Sequence, residues 1–572
     1  MKNKHNSPNY IKSFLKDNGV SIIVIFFGLL YAFNGLWYTF YQQDEWLAVG
    51  SVYEQGIKYP FYGFNFLQVI FGDGRPLTRI FSYYFFSNLP FNFTALAIYS
   101  IGFHFANSIL VYFIAKRVLG NRVYGFTASI FFALNSVPAQ SVTWFAASFG
   151  LQPASFLVLV SLYSFIKFVD TQKKSYAWIS MLSCVVSLYF KESGIFLFLF
   201  YPIVPFILNS KVSVKKYLIN FSPIFLYAAL FALFRISIMI ARSKDSLLAG
   251  TTLLNQGSMV TPVMILLRVV MYPLTSFSLM FVDPPIPRAI AMWFIRKYYP
   301  FITVQGDLVA YTVVLDMLSL ISSVLLLFFL YKITWKNEQD KRSLLFSLFL
   351  ILTSILPFVV VSKEYTYLEP RYYYIPVIGA AIIFGLIVKK IHEFTQRISS
   401  MKYIIAILVA LFMFLHVNTI HEEVAMQQEL AKTRQSYISQ LEHILPTLTE
   451  NRNIFFVAGD QAYVFDGNYT PFQNGFGYSL MVIYRESSRI PKGLLTSGYF
   501  FNFEHGYREV DGKGFGYYMD VDELKKDALK YKFPENSIHG LYYNSKTEKV
   551  IDISGQTRKL IFEVKEVKNS SF

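Results

Sequence analysis

Ser21-Ile22-Ile23-Val24-Ile25-Phe26-Phe27-Gly28-Leu29-Leu30 opens an uncharged, mainly apolar run that continues to Phe40 and closes on Gln42-Gln43-Asp44-Glu45-Trp46. A bilayer needs roughly 20 apolar residues to be crossed by a helix, so Ser21 to Phe40 reads as a span. Two adjacent carboxylates then fall at a membrane–water boundary. Acidic residues in such places are functional candidates, although any loop leaving a membrane carries some charge.

The composition agrees with a polytopic membrane protein. Of 572 residues, 54% are hydrophobic, 19% aromatic and only 15% charged, against about 25% charged in soluble domains. The net charge of +16 raises nucleic acid as a partner, but the placement of the charges argues against it. Lys2, Lys4, Lys12 and Lys16 precede the first span, and Lys116, Arg117 and Arg122 follow the second. Lys167, Lys173 and Lys174 follow the fourth, and Lys211, Lys215 and Lys216 the sixth. Lys332, Lys336, Lys341 and Arg342 follow the eighth, and Lys389, Lys390 and Arg397 the tenth. Every other connection is basic, the mark of cytoplasmic loops. This predicts a multi-pass cell-membrane protein with a cytoplasmic N-terminus, the Asp44 loop outside, and no nucleic-acid partner. The first span lacks a small-residue cleavage pattern and is read as retained. The lone Cys184 allows no intrachain disulfide and suggests no metal–thiolate site.

About eleven spans are expected from apolar length and flanking charge. They run Ser21 to Phe40, Thr94 to Val118, Tyr124 to Val137, Leu151 to Val169, Ala177 to Tyr189 and Gly194 to Leu208. Tyr217 to Ile240, Leu308 to Tyr331, Leu344 to Val361, Tyr372 to Val388 and Tyr403 to Ile420 follow. An odd number puts the C-terminus outside. Two outer loops are long: Tyr41 to Phe93, expected to hold short interfacial helices, and Ala241 to Gln305. Within the second, Val260 to Val282 is apolar but carries Arg268 and basic flanks. It reads as a surface or re-entrant helix; as a span it would reverse the side of everything after it.

From His421 the composition changes. Glu422 to His443 is polar with helical spacing, a helix leaving the membrane. Ile454-Phe455-Phe456-Val457 reads as a buried strand ending in the turn Ala458-Gly459-Asp460. Gly540-Leu541-Tyr542-Tyr543 and Lys549-Val550-Ile551-Asp552, joined by Asn544-Ser545-Lys546-Thr547, read as a hairpin. The expected organisation is therefore an all-α transmembrane domain, 1–420, followed by a small extracytoplasmic α/β domain, 421–572.

Four polar clusters fall on the outer side: Asp44-Glu45; Asp73-Gly74-Arg75-Pro76-Leu77-Thr78-Arg79; Lys191-Glu192-Ser193-Gly194; and Lys363-Glu364-Tyr365 with Glu369-Pro370-Arg371-Tyr372. Each alone has a structural account. Asp-Gly is a turn signal, Lys191-Glu192 is a neutralised pair in a hairpin, and Arg371 is an interfacial anchor among tyrosines. Together they suit a site that holds an anionic group beside a carboxylate base.

Arg75-Pro76-Leu77-Thr78, His104 with Asn107, Phe132-Ala133-Leu134-Asn135-Ser136-Val137-Pro138 with Val142-Thr143-Trp144, Lys191-Glu192-Ser193-Gly194 and Glu369-Pro370-Arg371-Tyr372 occur in this order. In order and spacing they resemble the motifs of the GT-C superfamily of polyprenyl-phosphate-sugar-dependent glycosyltransferases. The likeness is strongest to the membrane part of the TPR-containing protein O-mannosyltransferases, and it covers roughly Trp37 to Val388. Two departures stand out: those relatives tend to carry Asp-Asp where this chain has Asp44-Glu45, and the helical repeats that normally follow are replaced by the outer domain.

The resemblance implies a GT-C fold and sugar transfer, with inversion, from a lipid-linked sugar donor to a hydroxyl of a glycan or protein acceptor outside the cytoplasm. A lipid phosphate is already a good leaving group, so positive charge to hold it is what helps, and arginine is suited to holding it by its bidentate fork. The acceptor hydroxyl needs a base. Asp44 is the expected base, with Glu45 a helper to acceptor or loop. Arg371, Lys191 and Arg75 are the phosphate candidates; Arg75 is alternatively a brace to Asp44 or Glu45. Glu192 and Glu369 would orient these cations or simply pair with them. His104 and Asn107, three apart on one helix face, are either interhelical hydrogen-bonding residues or touch the substrate. No cofactor is expected. A divalent metal bridging Asp44 and phosphate occurs in some GT-C relatives, but no His or second Asp cluster lies nearby to support one. A transporter or flippase of lipid-linked glycans is the alternative, disfavoured because the charges gather on one face rather than mid-span. A non-catalytic polymer-binding or assembly protein using the outer domain is a third class.

Overall fold

The computed structural model describes residues 8–42, 44–71, 74–208, 214–244, 262–299, 304–361, 370–395, 401–445, 448–449, 451–459, 464–465, 468–469, 479–480, 482–483, 506–510, 512–544 and 546–562. The helices that precede the sheet begin with α1 (Pro8–Ala32), α2 (Asp44–Gln55), α3 (Phe66–Ile70), α4 (Pro76–Asn88), α5 (Phe93–Leu119), α6 (Arg122–Ala133) and α7 (Gln140–Thr143). Then come α8 (Phe145–Thr171), α9 (Lys174–Phe190), α10 (Leu197–Ile207), α11 (Val214–Lys244), α12 (Pro262–Leu279) and α13 (Pro285–Tyr298). The series closes with α14 (Val304–Thr334), α15 (Glu338–Ile355), α16 (Phe358–Val361), α17 (Pro376–Thr395) and α18 (Met401–Ile444). Each expected span falls on one of these helices. Among the described residues six are long and apolar enough to cross a bilayer, lying in α1, α5, α8, α11, α14 and α18. The chain is thus a multi-pass, all-α membrane protein with a small sheet at its C-terminal end. Where the expected spans are short, local chemistry accounts for it: α10 is only 11 residues and carries Pro202 and Pro205, and proline removes a backbone donor inside a helix.

The chain divides into two compact units. The first comprises residues 1–34, 64–78 and 97–423; the second takes 35–63, 79–96 and 424–572.

In the first unit, α8 and α9 form an antiparallel pair, and α17 packs against both α6 and α15. Buried small and hydroxyl residues hold these helices together, as expected where lipid removes the hydrophobic drive between them. Ser161 Oγ donates to the Ser180 carbonyl at 2.7 Å, and Ser343 Oγ to the Val118 carbonyl at 2.9 Å. Helix α12 meets segments that close other helices at both its ends. Arg268 donates to the Val359 carbonyl at 3.4 Å, and Asn135 Nδ2 donates to the Met280 carbonyl at 3.0 Å. The turn after it is pinned by Asp283, which accepts from Ser136 Oγ at 2.6 Å and from Thr419 Oγ1 at 2.8 Å. Ser136 Oγ also lies 2.8 Å from His416 Nδ1. The serine stands between acid and imidazole, so the order is not that of a nucleophilic triad.

The second unit contains the sheet. Its strands are β1 (Arg452–Gly459), β2 (Val464–Phe465), β3 (Asn468–Tyr469), β4 (Gly506–Val510), β5 (Lys513–Tyr518), β6 (Ile538–Asn544) and β7 (Lys549–Asp552). Five of them form one sheet in the order β4-β5-β1-β6-β7, with β1 parallel to both neighbours and an antiparallel hairpin at each edge. The expected first strand and last hairpin are β1 and β6–β7. Helices α19 (Val521–Tyr531) and α20 (Ser554–Phe562) bury Leu524, Ala528 and Ile561 against Ile454, Phe456, Tyr518 and Ile538. The polar second half of α18 docks on the β6–β7 hairpin: Gln440 Nε2 donates to the Glu548 carbonyl at 2.7 Å, and Gln440 Oε1 accepts from the Val550 N–H at 3.0 Å.

Candidate active site

In the first unit the sequence motifs converge. The Phe190-Lys191-Glu192 break between α9 and α10 is clamped by the Arg75-Pro76-Leu77-Thr78 segment. Thr78 Oγ1 donates to the Phe190 carbonyl at 2.6 Å, and a side chain at Gly150 would meet both of those oxygens at 3.2 Å. Arg75 grips Glu192 from one side: its Nε is 3.0 Å and its Nη2 3.0 Å from Oε2. Its backbone is left-handed, at φ 56°, although it precedes a proline, which favours extended backbone. A non-glycine residue held there costs on the order of 1–3 kcal/mol and persists only where the surroundings over-determine it. The Thr78 clamp and the two-pronged pair with Glu192 supply that constraint.

Glu192 also meets a second guanidinium: Arg235 Nη2, at the end of the apolar part of α11, lies 3.8 Å from it. Burial pushes the Glu192 carboxyl up, but the charges of Arg75, Arg235 and Lys191 outweigh it and hold the group below its ordinary range. Lys191 Nζ sits 5.7 Å from the centre of the Tyr372 ring, and the Arg371 guanidinium lies 5.0 Å from the same ring. Arg371 also stacks on Trp144 at 4.9 Å, and its carbonyl accepts from Ser141 Oγ at 3.1 Å. Four cations, Arg75, Lys191, Arg235 and Arg371, thus gather around Glu192 and the Tyr372 ring. Aromatic faces attract guanidinium and ammonium groups, which helps to hold these cations together.

His104 and Asn107 lie beneath this cluster in the helix bundle. His104 is 2% exposed, with Nδ1 2.7 Å from Tyr374 Oη and Nε2 3.0 Å from the Ala133 carbonyl. Asn107 Nδ2 donates to Tyr374 Oη at 2.9 Å, and Tyr374 Oη donates to Gln152 Oε1 at 3.2 Å. Both ring nitrogens of His104 are therefore engaged by protein. These hydrogen bonds run between helices, one of the two roles read from its spacing, and they lock the Arg371-Tyr372-Tyr373-Tyr374 segment to α5. Asp73, Lys363, Glu364 and Glu369 lie outside the described residues, as does the turn residue Asp460.

In the second unit, Asp44 and Glu45 open α2, where the unpaired N–H groups of a helix start favour carboxylates. Their environments differ. Asp44 is half-buried, whereas Glu45 is fully buried and reaches back to accept the Gln42 N–H at 3.1 Å. Around it, Tyr41 packs edge-on to Trp46 at 5.2 Å and to Phe93 at 5.1 Å.

Two charged residues of this chemistry carry little signal in the sequence. Arg235 is a lone cation near the end of an apolar run, a pattern that snorkelling also explains. Glu423 accepts from Thr143 Oγ1 at 2.5 Å, one residue before the Trp144 platform. Burial raises its carboxyl, the Thr143 hydrogen bond opposing.

No family model matches the sequence, and no curated protein matches it at a significant level. Among solved structures, the chain is similar to the archaeal oligosaccharyltransferase AglB from Archaeoglobus fulgidus, solved with an inhibitory peptide and a dolichol-phosphate. The TM-score is 0.40 at 12% identity, over 78% of this chain and 62% of that one. It is also similar to ArnT from Cupriavidus metallidurans, at TM-score 0.32, 12% identity in the apo state and 11% bound to undecaprenyl phosphate, over 93% of this chain and 94% of that one. The chain therefore spans about three-fifths of AglB's length, and the functional reading rests on its own residues.

Proposed function

We propose that this protein is an inverting glycosyltransferase of the GT-C type, moving a sugar from a polyprenyl-phosphate-linked donor to an acceptor hydroxyl outside the cytoplasm. The observation that carries the reading is the gathering of Arg75, Lys191, Arg235 and Arg371 around Glu192 and Tyr372. The donor phosphate sits among these cations. As the bond from the anomeric carbon to the phosphate oxygen breaks, negative charge builds on the departing phosphate, and preplaced cations stabilise it. Arg371, fixed by Trp144 and Ser141, is the principal contact; Lys191 and Arg75 flank it, and Glu192 aims Arg75 and Arg235. Asp44 takes the proton of the acceptor hydroxyl as its oxygen attacks the anomeric carbon from the side away from the departing phosphate, which inverts the centre. Glu45 is a brace rather than a second base. The acceptor is a cell-envelope glycan or a protein Ser/Thr hydroxyl, with the envelope glycan favoured because the outer domain replaces the usual repeats.

The test is mass analysis of envelope glycans and secreted proteins from cells carrying wild-type protein or Asp44→Asn. The proposal expects one glycan or glycopeptide to lose a single sugar mass in the variant. Identical spectra from an Asp44→Asn strain that expresses folded protein would overturn it.

A further inference from the structure

Helix α18 runs 44 residues, roughly 66 Å at 1.5 Å per residue, about twice the hydrocarbon thickness of a bilayer. Its apolar part ends at Ile420, yet the polar remainder is not a solvated stalk. Val424, Gln427, Ala431, Arg434, Tyr437 and Leu441 are all buried, and their spacing of three and four marks one face of a helix. On that face Gln428 Nε2 donates to the Gly35 carbonyl at 2.7 Å. Further along, Ile438 and Ser439 share the wall of a 250 Å³ cavity with Trp46 and Tyr53 of α2. The first outer segment therefore lies along α18 within the second unit. Arg434, 6% exposed, is on the same face between these two contacts, and the fully buried carboxylate of the segment is Glu45.

We infer that Arg434 is a positioning residue: its guanidinium holds the buried Glu45 carboxylate and thereby fixes the first turn of α2, from which Asp44 projects. Burial pushes the Arg434 guanidinium down to about 10, with the Glu45 charge opposing the fall. A buried charge whose partner is removed is strongly destabilised, so neither member is replaceable alone. The β6–β7 hairpin holds the other side of the helix through Gln440 and through Ser436 Oγ, which donates to the Glu548 carbonyl at 2.8 Å. The outer sheet is thereby the scaffold that holds the α18 tail against the segment bearing the base.

The inference rests on the reading of Asp44 as base, so its test has one arm that does not depend on activity. In full-length protein in lipid nanodiscs, amide hydrogen exchange over 44–55 should rise in Arg434→Met and return toward wild type in Arg434→Lys. In the transfer assay with a polyprenyl-phosphate-linked sugar, a small misplacement of a catalytic group is costly, so Arg434→Met should lower kcat roughly 10–100-fold. Donor KM should stay within about twofold, since no donor contact is removed. Pairing Glu45→Gln with Arg434→Met should be less damaging than the product of the two single effects. Unchanged exchange over 44–55 in Arg434→Met, or strictly multiplicative single effects, would overturn the inference. If Arg434→Met fails to fold, Glu45→Gln carries both arms. A wild-type protein without transferase activity would defeat the proposed function, while the exchange arm still decides the Arg434–Glu45 brace.

Discussion

Glu192 in the first unit and Glu45 in the second are both carboxylates beside arginine, and they do opposite things. Glu192 is shared between two guanidiniums and a neighbouring ammonium in a site that stays open: its side chain is 35% exposed and that of Arg75 47%. Glu45 is fully buried, accepts the Gln42 N–H, and on the inference above is held by Arg434. The open arrangement concentrates cations where an anion can reach them. The sealed one spends both charges on geometry and leaves Asp44, its half-buried neighbour, to act. The same ion-pair chemistry thus gathers charge in one place and fixes backbone in the other, and solvent access decides which.

The largest effect expected is on the acidic side. Asp44→Asn should lower transfer by about 10²–10⁴-fold, the usual worth of a general base, with an unchanged thermal midpoint; a strong loss of stability would mean that Asp44 is structural like Glu45. On the cationic side, Arg371→Lys keeps the charge but loses the planar stacking on Trp144 and Tyr372. Since arginine and lysine are not interchangeable at stacked sites, transfer should fall by roughly 10²-fold, the scale of one lost oxyanion contact. Full activity in Arg371→Lys would show that only charge matters there.

Glu192→Gln sharpens the contrast through pH. The carboxyl is held below its ordinary value of 4.5, so its contribution to stability is present above that pH and disappears as pH falls through the depressed folded value. Wild type should exceed Glu192→Gln in thermal stability at neutral pH by no more than about 1 kcal/mol, because the pair is partly exposed. The two proteins should converge once the pH falls below that depressed folded value, measured by unfolding across a pH series. A comparable effect, on stability alone, is expected at Tyr374. Tyr374→Phe removes the common partner of His104, Asn107 and Gln152 and should cost about 1 kcal/mol, read as a lower unfolding midpoint with donor affinity unchanged.

How much of the fold and site is legible in the sequence follows from the kind of signal each element carries. The spans announce themselves by apolar length, and the alternation of basic connections orders them. The motif residues Arg75, Lys191, Glu192 and Arg371 stand out as charge in apolar surroundings, and they meet in the first unit. Strands β1, β6 and β7 are apolar enough to read, but β4 and β5, with Gly506, Gly514 and Gly516, lack the alternation that marks a strand. Arg434 and Glu423 sit in a stretch that looks like an ordinary solvated helix. Their burial comes from what packs against α18, which no local pattern encodes. The acidic pair is visible, but nothing in Asp44-Glu45 says which carboxylate is sealed.

On the proposed mechanism the cations of the first unit hold a lipid phosphate and Asp44 does not. The direct measurement is binding of a polyprenyl monophosphate to the protein in nanodiscs, comparing wild type with Arg371→Ala, Lys191→Ala and Asp44→Asn. The account predicts at least roughly tenfold weaker binding, about 1.4 kcal/mol, in each cation variant and wild-type affinity in Asp44→Asn. Equal binding by all four proteins, or a loss confined to Asp44→Asn, would contradict it.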